Sequence, residues 1–341
     1  MKAVFRPGKK IPLWFAVILV LLPVITGLIC LTVGRYHLTV IEVLNALIKR
    51  AFGTPLEETV NSVVFNLRLP RILLAIFIGA GLGASGAAFQ GLFGNPLATP
   101  DTLGVTAGSS VGAIIALLMN AKLMVVQVMA LMFGLGSVAL TVAVARRKGK
   151  TSVVMLVLSG VIVSALLSAV VSILKYTADP LSKLPAITFW LMGSLASVTY
   201  RGLLLGTPLI VVGAVILYLL RWRLNILTLS EDEARTAGIR VQRLRIAVVV
   251  ASTLVTASCV SMCGQVGWVG LLIPHCARML CGGDNRFVIP LSLSFGAVFM
   301  LLVDTIARSV ISAEIPISVL TAIIGAPFFI SLLRKTGGGW R

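Results

Sequence analysis

The chain is poor in charged residues, and acidic residues are the scarcest of them. Of its 341 residues only 12% are charged and 58% are hydrophobic, and 11 Asp and Glu stand against 29 Lys and Arg. A soluble domain of this composition would expose a large apolar surface to water. The composition therefore excludes an ordinary soluble protein and indicates a membrane protein with several spans.

Sequence patterns of common catalytic and metal sites are also missing. Gly149-Lys150-Thr151 resembles the end of a Walker A phosphate loop, but Val144 stands where the first glycine is needed. No His-Glu-x-x-His zinc motif occurs in the sequence. The five cysteines lack zinc-type spacing, and we expect most to be small buried hydrophobic residues. We therefore predict no catalytic residue, no cofactor and no metal site in this chain.

Long apolar runs predict an all-α polytopic membrane protein that forms one transmembrane domain over residues 1–341. The runs give ten candidate spans, at about 11–33, 70–92, 103–119, 123–145, 152–174, 203–220, 245–263, 266–280, 287–308 and 315–333. With a cytoplasmic N-terminus, an even number of spans returns the C-terminus to the cytoplasm. Most lysines and arginines then face the cytoplasm, as the positive-inside rule requires, and we expect no binding of nucleic acid.

The stretch from Leu67 to Gly104 predicts a central helix. It begins beside Arg68 and Arg71, continues through about twenty uncharged residues rich in Gly and Ala, and ends in a turn at Asn95-Pro96. Small side chains let neighbouring helices approach closely, whereas a helix that faces lipid has no need of them. We expect this helix to lie inside the bundle, with functional groups at both ends.

Three further features are candidates for function. Asp304 and Arg308 lie one turn apart near the outer end of the ninth predicted span, where they form either a mutually neutralising pair or a proton relay. His275 follows Pro274 near a cytoplasmic helix end, where a structural hydrogen bond is the commoner role. The segment 227–239 predicts a short capped helix on the cytoplasmic side, suited to docking another protein, with Ser230 as N-cap and Gly238 as C-cap.

Taken together, several motifs resemble one known family, the permease subunits of type II ABC importers for iron-siderophores, haem and vitamin B12. The resemblance is collinear over nearly the whole chain. It rests on six motifs: Arg68-Leu-Pro-Arg71, Asn95-Pro-Leu-Ala98 with Leu103-Gly104, Trp190-Leu-Met-Gly-Ser194, Glu233-Ala-Arg235 with Gly238, Val269-Gly-Leu-Leu-Ile-Pro-His275, and Glu314-Ile-Pro-Ile with Gly325-Ala-Pro-Phe328.

The resemblance implies an assembly in the cytoplasmic membrane of a prokaryote. Two permease copies, identical or occasionally different, would enclose the translocation path, with two ATP-binding subunits below and an extracytoplasmic solute-binding protein above. It also implies roles for particular residues. Arg68, Arg71 and Arg308 would receive acidic residues of the binding protein, and Asn95 would belong to the inner gate. The segment 230–239 would couple to the ATPase, through Ser230, Glu231, Glu233, Ala234, Arg235 and Gly238.

The remaining implications concern the path and the cargo. The fifth span, roughly Thr151 to Leu174, would line the path, whereas Pro274 and His275 match a family motif without an assignable role. The predicted function is ATP-driven import of an iron-siderophore by alternating access, with haem, cobalamin or molybdate as alternative cargoes. Two other classes stay open: a secondary carrier that uses Asp304 as its ion-coupling group, and a membrane sensor or scaffold.

Overall fold

The computed structural model describes residues 12–146, 152–228, 240–311 and 313–336, and these residues fold into helices and connecting loops without a β-strand. The all-α prediction is therefore confirmed. The α-helices, in chain order, are α1 (Leu13–Thr32), α2 (Val40–Ala51), α3 (Glu58–Asn61), α4 (Leu69–Phe93), α5 (Val105–Leu118), α6 (Leu123–Ala145), α7 (Val153–Tyr176), α8 (Lys183–Met192), α9 (Tyr200–Leu224), α10 (Val241–Cys263), α11 (Val269–Cys281), α12 (Asn285–Ser309) and α13 (Ile317–Thr336).

The predicted spans correspond to two kinds of helix. Seven helical stretches of the described chain are long and apolar enough to cross a membrane: Leu13–Thr32, Glu58–Phe93, Leu123–Ala145, Val153–Tyr176, Tyr200–Leu227, Val241–Cys263 and Asn285–Ser309. The other three predicted spans correspond to the shorter apolar helices Val105–Leu118, Val269–Cys281 and Ile317–Ser331. A helix of 14 residues reaches only about 21 Å, less than a bilayer core of about 30 Å.

Helix α4 lies at the centre of the bundle, as the sequence predicts, and packs against α9, α10, α11 and α12. Three of its glycines touch the backbone of a neighbour. A Cβ atom on Gly79 would lie 2.1 Å from the carbonyl oxygen of Gly296, and one on Gly83 would lie 2.3 Å from that of Ser292. A Cβ on Gly86 would lie 1.9 Å from the carbonyl oxygen of Gly270. Only glycine permits these contacts.

The ends of the helices follow local capping rules. Helix α4 ends where Gly94 takes the left-handed conformation, with φ of 60°. Thr39 is the N-cap of helix α2 and forms a capping box, in which Glu42 Oε2 accepts hydrogen bonds from Thr39 N at 2.7 Å and Thr39 Oγ1 at 2.9 Å. The backbone hydrogen bond from Thr39, followed by the one from its hydroxyl, lowers the pKa of Glu42.

Candidate functional site

Two arginines and two carboxylates meet where α4 begins and α12 ends, and we call Arg71, Asp304, Arg308 and Glu314 the ionic cluster. Arg71 Nε donates to Asp304 Oδ1 at 2.7 Å, and Arg71 Nη1 donates to Glu314 Oε1 at 3.0 Å. Arg308 Nε lies 3.6 Å from Asp304 Oδ2, one turn away on the same helix. Asp304 thus faces two guanidinium groups, and the four charges of the cluster cancel.

The register between α4 and α12 brings Arg71 to Asp304. The two helices run antiparallel, with Gly83 against Ser292 and Gly79 against Gly296. Continuing the same register by two turns towards the start of α4 and the end of α12 places residue 71 against residue 304. The close glycine contacts therefore determine which charged residues meet.

The carbonyl end of α1 binds two arginines. Arg68 Nη1 donates to Leu31 O at 2.6 Å and to Thr32 O at 3.2 Å, and Arg308 Nη2 donates to Cys30 O. The last carbonyls of a helix have no intrahelical donor and carry a partial negative charge, so cations suit this position. Arg68 also donates to Tyr36 O in the loop after α1.

The three arginines that the resemblance links to docking are buried in this structure. Arg68 is 6% exposed, Arg71 is 8% exposed and Arg308 is 9% exposed. Moving a charged side chain from water into the protein interior costs on the order of several kcal/mol, unless partners in the interior compensate for the lost water. Their partners lie within the chain, so these side chains brace α1, α4 and α12 against one another.

Glu314 was not among the predicted site residues, although the sequence motif at the start of the last span contains it. It takes the left-handed conformation with φ of 53°, which is unusual outside glycine. Its side chain is 32% exposed and also lines a cavity of about 380 Å³ beside Trp190 and Ser194. Glu314 therefore connects the buried ionic cluster to a cavity that opens at the same end of the bundle.

A second polar network lies at the opposite end of α4. Arg278 Nη2 donates to Ala87 O at 3.2 Å and to Asn285 Oδ1 at 3.4 Å, and Arg278 Nε donates to Gln90 Oε1 at 3.3 Å. These bonds tie α11 to α4 and to the first residue of α12. This network has no signature in the sequence, because its polar residues lie in three separate segments and match no known motif.

The start of α12 is fastened to the segment that follows α9. Asn225 Nδ2 donates to Asp284 Oδ1 at 2.7 Å, and the backbone N–H of Asn285 donates to Asn225 Oδ1 at 2.8 Å. Partial burial acts to raise the pKa of Asp284, but hydrogen bonds from Arg286 and Asn225 outweigh it and lower the pKa.

The other predicted site residues are distributed as follows. Asn95 is exposed in the turn after α4, where its Oδ1 accepts a hydrogen bond from Leu97 N at 2.9 Å. Pro274 lies inside α11, and the ring of His275 lies 5.9 Å from that of Phe329, which joins α11 to α13. The predicted coupling residues lie outside the described part of the chain: Ser230, Glu231, Glu233, Ala234, Arg235 and Gly238.

The described residues contain no group of three or more His, Cys, Asp or Glu side chains able to hold a metal ion. Cys30, Cys259, Cys263 and Cys281 are buried thiols, in agreement with the prediction for most of the cysteines, whereas Cys276 is only half-buried.

Helix α7, which was expected to line the path, exposes a row of apolar side chains in the single chain, including Leu158, Ile162 and Leu166.

Comparison with known proteins shows what this architecture belongs to. The FecCD transport family matches residues 21–335. The chain is 43% identical over 321 residues to the molybdate import system permease protein MolB of Haemophilus influenzae, which covers 94% of this chain and 95% of the relative. It is 32% identical over 338 residues to the Fe(3+)-citrate import system permease protein YfmE of Bacillus subtilis, with 98% of both chains covered.

A solved structure agrees with these relatives. A chain described as a metal-chelate type ABC transporter in an inward-facing conformation superposes with a TM-score of 0.86 at 42% identity, over 94% of this chain and 99% of that one. Both the sequence family and the three-dimensional fold are therefore shared over nearly the full length. The chain belongs to the FecCD transport family and is a membrane-embedded permease of an ABC importer.

Proposed function

We propose that this permease pairs with a second permease copy, identical or different, and imports its cargo by alternating access, driven by two separate ATP-binding subunits. A solute-binding protein delivers the cargo at the end of the bundle that contains the ionic cluster. In this proposal both chain termini face the cytoplasm of a prokaryote and membrane lipid surrounds the bundle. Family membership over residues 21–335 supports the assembly, and the distribution of Lys and Arg supports the orientation.

The pairing of Asp304 is the observation that favours an ATP-driven importer over an ion-coupled carrier. Within residues 12–146, 152–228, 240–311 and 313–336, Asp304 is the one buried carboxylate. Arg71 and Arg308 face its two oxygens at 2.7 Å and 3.6 Å. A coupling carboxylate must take up and release an ion during each cycle, whereas both oxygens of Asp304 already face arginines of this chain. The energy for transport then comes from another subunit.

The ionic cluster provides a docking surface for an acidic partner. Arg71 forms two ion pairs: one with Glu314, whose side chain is 32% exposed, and one with the buried Asp304. A carboxylate on the binding protein competes with Glu314 for the same guanidinium group, and Arg68 and Arg308 add positive potential behind it. Charge complementarity of this kind steers encounter and fixes the orientation of the partners.

Helix α12 connects this surface to the ATPase side. The segment 230–239 follows shortly after Asn225, and Asn225 bonds to Asp284 at the start of α12. From Asp284 to Asp304 the helix extends about 30 Å, the thickness of a bilayer core. A displacement of 230–239 by the ATPase therefore shifts α12 together with α4 and changes the contacts that Arg68 and Arg308 make with the end of α1. Asn95 serves as part of the inner gate, and the apolar face of α7 lines the path.

We propose molybdate as the cargo, because the relative that is 43% identical imports it. An iron-siderophore, the cargo predicted from the family resemblance, is the second candidate, and the Fe(3+)-citrate relative supports it at 32% identity. Haem and cobalamin are further alternatives. The solute-binding protein selects among these cargoes, so its ligand decides the question.

The test is co-purification of the tagged permease from its native membrane, followed by reconstitution. We expect an ATP-binding subunit in equal copies and a binding protein, and ATP-dependent uptake of radiolabelled molybdate in preference to a ferric siderophore. Glu233→Ala should abolish uptake, whereas Asp304→Asn should retain ATP dependence in the fraction that folds. Uptake that follows a pH gradient without ATP, and that Asp304→Asn abolishes, would refute the importer assignment.

A further inference from the structure

A lateral groove between α6, α7 and α10 is not used by the proposed transport mechanism. It has a volume of about 420 Å³, and nine of the thirteen lining residues that the structure describes are apolar, including Val138, Val142 and Val249. The other four are Arg146, Gln242, Arg245 and Thr253. Among the described lining residues, the two charged ones are both arginines, and both lie towards the same end of the groove.

The dimensions of the groove match one leaflet of a membrane. Along α6 it extends from Leu135 to Arg146, and along α10 from Gln242 to Thr253. Eleven steps at about 1.5 Å give about 16 Å, which is close to half of a bilayer core of about 30 Å. The apolar walls therefore face the hydrocarbon of a single leaflet.

The charged end of the groove lies at the level of lipid headgroups. Arg146 is exposed and follows the last residue of α6, a helix long enough to span the membrane. Arg245 is 9% exposed on the second turn of α10 and faces the same groove. The sequence adds further positive charge immediately after α6, at Arg147, Lys148 and Lys150. Basic side chains at a span end attract anionic lipids, by about 1 kcal/mol each.

We propose that this groove binds an anionic phospholipid, with an acyl chain along α6 and α10 and the phosphate at Arg146 and Arg245. The groove offers both parts of such a molecule a complementary surface, because an apolar channel ends in positive charge. The inference depends only on the chain being embedded in a membrane, and it stands whatever cargo the importer carries.

The test compares two lipids that share acyl chains and differ in headgroup charge. The permease is reconstituted in nanodiscs of phosphatidylglycerol or phosphatidylcholine, transferred to mild detergent, and examined for retained lipid by native mass spectrometry. We expect phosphatidylglycerol to be retained in preference to phosphatidylcholine. Arg146→Gln should weaken retention of phosphatidylglycerol about fivefold, the equivalent of one cationic contact.

Two further variants make the result specific. Ala139→Phe fills the apolar part of the groove without changing charge, and it should reduce retention of either lipid. Arg223→Gln removes an exposed arginine from the last turn of α9, outside the groove, and it should leave retention unchanged. Equal retention of the two lipids would overturn the proposal, as would equal effects of Arg146→Gln and Arg223→Gln. Recovery of a second polypeptide in the groove, without phospholipid, would overturn it as well.

Discussion

Replacing Asp304 with Asn tests whether the ionic cluster braces the fold. The substitution keeps the size of the side chain but removes the negative charge that faces Arg71 at 2.7 Å and Arg308 at 3.6 Å. Both arginines are less than 10% exposed, so water cannot replace the lost partner. Breaking a buried ion pair from one side typically costs about 3–5 kcal/mol, because a buried charge is left uncompensated.

A matched variant separates the buried contact from the partly exposed one. Glu314→Gln removes the other carboxylate on Arg71, at 3.0 Å, from a side chain that is 32% exposed. Solvent screens this pair, so we expect a loss of only about 1 kcal/mol or less. Thermal unfolding in detergent, followed by size-exclusion chromatography, should rank the proteins as wild type, then Glu314→Gln, then Asp304→Asn.

A double-mutant cycle distinguishes direct pairing from general disturbance of the helix interface. Arg71→Gln should destabilise the wild type strongly and the Asp304→Asn variant much less, because the partner has already been removed. Equal effects of Arg71→Gln in the two backgrounds would refute the pairing. An Asp304→Asn variant as stable as Glu314→Gln would refute the view that the cluster supports the fold.

Three other predictions follow from contacts elsewhere in the chain. Gly86→Ala should lower stability by about 1–3 kcal/mol in thermal unfolding, because its Cβ would lie 1.9 Å from a backbone carbonyl oxygen of α11. The control Gly136→Ala has open space at the Cβ position and should cause no loss of stability. The lowered pKa of Glu42 means that its capping bonds stabilise α2 above the ordinary pKa of a glutamate and are lost as pH falls through the lowered value. Thr39→Ala should shift this transition to higher pH in a carboxyl NMR titration, and an unchanged midpoint would count against the cap. Asn225→Ala removes two hydrogen bonds to the start of α12, at 2.7 Å and 2.8 Å. It should lower the amount of cargo moved per ATP hydrolysed while ATPase activity persists. An unchanged ratio of cargo moved to ATP hydrolysed would show that force does not pass through this contact.

The sequence predicted the helical class and the central helix, because both depend on local composition. Long apolar runs require helices in a membrane, and the density of glycine in α4 indicates close packing wherever its neighbours lie. It also identified Arg68, Arg71 and Arg308 as residues that dock a partner, and that role stays a prediction. The structure shows them buried against α1 and α12. Burial depends on tertiary packing, which no single segment encodes.

One part of the candidate site could have been predicted from the printed residues. Gly79 and Gly83 are four residues apart on α4, and Ser292 and Gly296 have the same spacing on α12. Small residues at this spacing mark the surfaces where membrane helices approach closely, and the structure pairs the two sets. Glu314 offered no such signal, because its contact with Arg71 depends on the path of the loop between α12 and α13.

The antiparallel register of α4 and α12 therefore combines packing and electrostatics in one structural unit. The glycine contacts bring the two backbones together in the middle of the helices, and the same register places Arg71 against Asp304 at one end. A slip of one turn would bring Cβ atoms into carbonyl oxygens and would separate the two charges. The glycine packing cannot change without separating Arg71 from Asp304, so α4 and α12 should move as a pair during transport. A disulfide or short cross-link placed between them should then leave uptake intact, whereas one between α4 and a helix that moves relative to it should stop uptake.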